Sequence, residues 1–186
     1  MTLALDPGQS WVRVWSRKAG LLARLAHDLC IESRAARVEV AQADGSLEVR
    51  VAVPVTSLRV LGQVHAGGRI EPLRPGDHQE IEGNLRGPRV LEADRHPEVR
   101  WSGRGPLSPG AGRVELQGEL ELRGTTRPLP LAARLVASPD GLRVEGEVEV
   151  VQSRFGIEPF SALLGALKVQ DPVGVSWSLY FPGGKL

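Results

Sequence analysis

"RVELQGELELR", Arg113 to Arg123, alternates almost without interruption. Val114, Leu116, Leu120 and Leu122 occupy one parity, while Arg113, Glu115, Gln117, Glu119, Glu121 and Arg123 occupy the other. Successive side chains of a strand point to opposite faces, so this period of two describes a strand with one apolar and one charged face. The pattern recurs. Leu47, Val49, Val51, Val53 and Val55 alternate with Glu48 and Arg50. Leu142, Val144, Val148 and Val150 alternate with Arg143, Glu145, Glu147 and Glu149. Val173, Val175, Trp177, Leu179 and Phe181 alternate with Gly174, Ser176, Ser178 and Tyr180. Trp11 to Trp15, Leu29 to Val40, Val99 to Gly103 and Leu129 to Val136 are shorter candidates.

These runs add up to roughly eight antiparallel strands, the number at which a sheet commonly closes on itself. Turn signals fall between them at Ala43 to Ser46, Ser108 to Gly112, Arg123 to Pro128 and Ser138 to Gly141. The charged outer faces leave no apolar surface for a layer of helices. The expected fold is therefore all-β, a single antiparallel barrel of roughly eight strands with one or two short helices. A two-sheet sandwich is the alternative. One helix is expected from an Asp77/Glu80 capping pair through Ile81 and Leu85 to the stop at Gly87-Pro88. "PFSALLGALK", Pro159 to Lys168, reads as a second, with Leu163, Leu164 and Leu167 together. The stretch from Gly62 to Pro97 reads as one excursion over a barrel end, and the chain, 1–186, as a single domain.

Composition excludes several classes. The 186 residues carry a formal net charge of +1, and the arginines are spread along the chain, so no basic stripe for nucleic acid is expected. One cysteine leaves no internal disulfide framework. No apolar run approaches a membrane span. "MTLALDPGQS" shows no basic and apolar export signal, which predicts a soluble cytoplasmic protein, or a periplasmic one if a leader has been removed.

"ARLAHDLCIE", Ala23 to Glu32, gathers His27, Asp28 and Cys30. A nucleophilic relay needs the base between nucleophile and acid in space. A strand would part His27 from Asp28, and a helix would set Asp28 about 100° around the axis from the others. The ordinary reading is a chain entering a strand, with Asp28 tied to a turn and Cys30 packed. His27, His65, His78 and His96 stand apart, without metal-ligand spacing, so neither a metal nor a cofactor is expected. The inward parity is mostly Val and Leu, and Gly118 and Gly146 fall on it, where they are expected to leave room for an open interior.

Four segments resemble the YceI-like family. "LQGELELRGTTRPLPL", Leu116 to Leu131, resembles its strand–turn–strand signature, and "RHPEVRWSG", Arg95 to Gly103, its aromatic-Pro stretch, with His96 and Trp101 at the aromatic positions. "SRFGIEPF", Ser153 to Phe160, resembles its Asp-Phe-Gly-Ile segment, with Arg154 at the Asp position. "VQDPVGVSWSL", Val169 to Leu179, resembles its closing strand. The resemblance implies a lipocalin-like barrel whose apolar tunnel holds an isoprenoid, quinone or fatty-acid-like chain. The expected function is that of a carrier, not an enzyme. A ligand-free stress-related or interaction module, and an enzyme using His27 or His78 at the tunnel mouth, are the alternatives.

On that reading the ligand-binding set is His27 at the rim, Val49, Val51, Trp101, Leu116, Leu120, Val144, Val148, Val175 and Trp177 on the wall, and Phe155, Ile157, Phe160 and Leu164 in a cap. The cap segment, Phe155 to Leu167, is too apolar for a solvated loop. It is expected to cover the barrel end, a bound lipid, or a second subunit in a homodimer.

Overall fold

The computed structural model describes residues 2–19, 28–107, 112–162 and 167–183. Sixteen strands and one α-helix follow in chain order. The strands are β1 (Thr2–Leu3), β2 (Trp11–Ser16), β3 (Lys18–Ala19), β4 (Asp28–Ser33), β5 (Arg37–Ala43), β6 (Ser46–Pro54), β7 (Arg59–Val64), β8 (Ile70–Glu71), β9 (Glu98–Pro106), β10 (Arg113–Leu122), β11 (Thr125–Pro128), β12 (Leu131–Ser138), β13 (Gly141–Val151), β14 (Ser161–Ala162), β15 (Leu167–Val169) and β16 (Pro172–Pro182). The helix, α1, is Pro75–Arg86.

Thirteen strands form one antiparallel sheet in the order β1-β5-β6-β9-β10-β12-β13-β16-β2-β4-β7-β8, with β11 beside β10. The sheet curls. Ile31 and Val60, near one end of that order, share a buried cluster with Trp101, Leu116 and Leu120 from its middle. The fold is all-β as expected, but the strand count is larger than eight. Leu29 to Val40 breaks into β4 and β5 at Arg34–Ala36, and β7 was hidden because Leu61 interrupts its alternation. Nor does a ladder close the sheet: among the described residues none joins the β1 end to the β8 end.

Other contacts cover the edge instead. Helix α1 lies beside β7, where Glu82 accepts the Val60 N–H at 3.0 Å. Ile81 and Leu85 pack onto the core. The hydroxyls of Ser33, the last residue of β4, and Ser57, after β6, meet at 2.6 Å. The helix begins earlier than expected: its N-cap is Arg74, without a side-chain cap bond. Pro75 at the first position lacks an N–H that would otherwise need a partner. Asp77 lies in the first turn, where its charge suits the positive end of the helix dipole.

Of the helix expected over Pro159 to Lys168, residues 163–166 lie outside the described residues, and the described ones are not helical. Ser161 pairs with Lys168 and Ala162 with Leu167, and Lys168 and Val169 pair in turn with Ala19 and Lys18. This three-stranded sheet needs a partner from the far N-terminus, which helical spacing within ten residues cannot reveal.

Candidate functional site

The inner face of the curled sheet is largely apolar. Two buried clusters lie along it. The larger is built around Val55, Trp101, Leu120, Phe155 and Ile157, and the smaller around Val38, Leu179 and Phe181. Val49, Val51, Val144 and Trp177 touch both, and all four are only half-buried. Val148 and Val175, opposite each other in the ladder, are half-buried too. The centre of the apolar wall is thus less completely buried than the cluster around Val55, Phe155 and Ile157.

The two inward tryptophans lie along the wall. A methyl group at Gly118 would stand 2.4 Å from Trp101 Cζ2, and one at Gly146 2.3 Å from Trp177 Cζ2. Gly118 and Gly146 were expected to leave space in the interior. They do not: each is the seat of an indole ring. The effect on the interior is the same in kind, because a ring resting on a glycine does not project across the lumen. Trp101 is fixed further by its Nε1–H, which donates to the Leu129 carbonyl at 2.8 Å.

The expected ligand-lining residues divide by position. Val49, Val51, Val144, Val148, Val175 and Trp177 form the less completely buried centre of the wall. Trp101, Leu116, Leu120, Phe155 and Ile157 are buried in the larger cluster and build its packed end. Phe160 is 45% exposed and joins neither cluster. His27 and Leu164 lie outside the described residues.

The packed end is where the four quoted motifs meet. His96 packs on Gly124, whose absent Cβ would fall 2.6 Å from the imidazole Cε1. Asp171 accepts from the Ser153 N–H at 2.8 Å and from its hydroxyl at 2.5 Å. The Gln152 side-chain amide donates to the Gln170 and Asp171 carbonyls. Arg123, which opens the turn before β11, donates to the Gly156 carbonyl and, at 2.8 Å, to that of Pro88. These bonds hold the 3-10 turn Gln152–Phe155 so that Phe155, 4% exposed, enters the core. Only the Arg-Gly-Thr-Thr-Arg motif hinted at Arg123, and no spacing rule would have linked it to Gly156.

The reactive residue types are spent on structure. Asp28 accepts the Lys18 N–H at 2.7 Å, which ties the start of β4 to β3. Cys30 is fully buried, and burial pushes its thiol up to about 11, so it is protonated at neutral pH. His65 Nε2 stands 3.0 Å from Glu71 on the β7–β8 hairpin, and His78 lies on α1. Among the described residues no three metal-ligating side chains converge. Outside the sheet, Glu98 pairs with Arg37 and Arg100, and Glu48 with Arg104. A cleft of about 510 Å³ lies among these charged residues, with Val51 and Trp101 also in its lining. No described helix is long and apolar enough to cross a membrane.

Comparison with solved structures returns the same architecture. Burkholderia cenocepacia BcnA superposes with a TM-score of 0.69 at 13% identity, covering 95% of this chain and 99% of that one. A Campylobacter jejuni YCEI protein superposes at 0.58 with 9% identity, covering 82% and 83%. At these identities the likeness is one of fold. No curated protein matches the chain. The YceI-like domain, however, matches residues 4–181, nearly the whole sequence. The chain belongs to the YceI-like family.

Proposed function

We propose that this protein is a carrier that holds a long apolar molecule against the inner face of its curled sheet, and that it binds without catalysing a reaction. One observation supports the reading: Val49, Val51, Val144 and Trp177 pack against both buried clusters yet are themselves only partly buried. A core built only for stability would bury them, since interiors are ordinarily close-packed. A chain burying about 400 Å² there would gain about 10 kcal/mol at 25 cal/mol per Å². Association costs of several kcal/mol leave roughly micromolar binding or tighter.

The test uses the two faces of one strand. Val148 points inward and Glu147 outward. N-phenyl-1-naphthylamine, an uncharged fluorescent probe, is expected to bind the wild type and the Glu147→Gln variant equally. Val148→Asp places a charge on the apolar wall and should abolish binding with the far-UV spectrum unchanged. Equal binding by both variants would remove the inner face as the site.

A further inference from the structure

One part of the wall is not closed by hydrogen bonds. β10 pairs with β11 from Leu122↔Thr125 to Glu119↔Pro128, and with β12 from Leu116↔Leu131 to Arg113↔Arg134. β11 and β12 are thus two halves of one return strand, broken at Leu129-Pro130. β12 continues the sheet by pairing with Gly141–Gly146 of β13. β11 has no ladder on its far side, and Glu147–Val151 of β13 are laddered only to β16. Pro128 and Pro130 remove N–H donors from that edge, which disfavours both closure of the seam and addition of a further strand.

The seam contains a cleft of about 230 Å³. Leu129, Val150 and Phe155 give it apolar walls; Arg127, Arg154 and Glu149 give it charge. Arg127 is opposite Leu120, so it occupies the inner-face parity of β11. Among the described residues its guanidinium bonds to the adjacent Thr126 carbonyl, from Nη1 at 2.9 Å. Neither arginine is in an ion pair with a described residue, although Glu149 also lines the cleft. Two exposed guanidinium groups without a carboxylate partner among the described residues, beside a slot walled by the core residues Val150 and Phe155, complement one chemical form: an apolar chain ending in an anion.

We propose that the β11–β13 seam is the head-group site of the carried molecule, with a carboxylate or phosphate monoester held by Arg127 and Arg154 and the chain running inward past Val150. This rests on the carrier reading above and names the ligand class that reading leaves open. The test compares three molecules with one chain length, palmitate, hexadecyl phosphate and hexadecanol, by displacement of N-phenyl-1-naphthylamine at low ionic strength. In the wild type at least one of the anions should displace the probe at about tenfold lower concentration than the alcohol. The anion favoured identifies the head. Arg127→Gln/Arg154→Gln should bring the anions to the alcohol's level and leave the alcohol unchanged; Arg127→Lys/Arg154→Lys should restore part of the preference. Displacement by all three at one concentration in the wild type would overturn the head-group site and leave the carrier standing. Equal weakening of all three in the Gln variant would overturn it too, by showing that the arginines support the fold. Failure of the probe to bind at all would overturn the carrier reading and the seam with it.

Discussion

Gly118→Ala ought to destabilise this protein, although the backbone gives no reason for it. Neither Gly118 nor Gly146 has a positive φ. At such positions an alanine ordinarily stabilises by about 0.4–1 kcal/mol, through the unfolded state. Trp101 reverses the sign. The new methyl group would stand 2.4 Å from Trp101 Cζ2 and 2.5 Å from the Ser102 carbonyl oxygen. Trp101 is 6% exposed, and leaving its seat breaks the bond to Leu129. Overpacking of about 1–3 kcal/mol plus about 1 kcal/mol for the bond gives a cost of about 3 kcal/mol. For a chain of this size that is a fall in Tm of roughly 6–12 °C. Gly146→Ala meets Trp177 at 2.3 Å and the Ala132 carbonyl oxygen at 2.7 Å, a longer backbone approach than at Gly118, and the partly buried Trp177 ring has more freedom to move than Trp101. Its cost should be smaller, about 1 kcal/mol or a Tm drop of roughly 2–4 °C, with a loss of probe capacity. Thermal unfolding followed by circular dichroism separates the two. A raised Tm for Gly118→Ala, or a greater loss for Gly146→Ala than for Gly118→Ala, would refute the placement of the rings.

Three further outcomes follow from named contacts. Arg123→Ala should release the turn that seats Phe155, cost about 1.5–3 kcal/mol, and speed amide exchange at Phe155 to Ile157; unchanged exchange would contradict that role. Cys30 should resist thiol reagents in the native protein at about pH 8, where a thiol raised to about 11 is roughly one part in a thousand thiolate, and should react fully after unfolding. The side-chain bond from Arg95 holds the Glu92 carboxyl below its ordinary 4.5. Its stabilisation is therefore present above pH 4.5 and is lost as pH falls through the folded-state value. Glu92→Gln should flatten the acid limb of stability against pH, and an unaltered limb would speak against the pair.

Strand character was legible wherever one face meets water. Arg113 to Leu122 and Gly141 to Val151 announce their parity because their outward residues are charged. β7 escaped because Leu61 fills its outward parity, and the two- and three-residue strands are too short to have a period. "PFSALLGALK" satisfied helical spacing, but what fixes Ser161–Ala162 and Leu167–Val169 is pairing with Lys18–Ala19, a partner remote in sequence. Gly118 and Gly146 were correctly placed on the inner face and misread there, because a glycine's role depends on the neighbour that covers it. The inward valines were readable as a lining. The β11–β13 seam was not, since it arises from which residues fail to pair, and pairing is non-local.

Mass spectrometry of freshly purified protein under native conditions tests the central claim most directly. The account predicts an additional mass of a few hundred daltons, released by organic solvent and identified as a long apolar chain, and lost in Val148→Asp. A bare chain that also takes up no palmitate, hexadecyl phosphate or hexadecanol when they are supplied would contradict it.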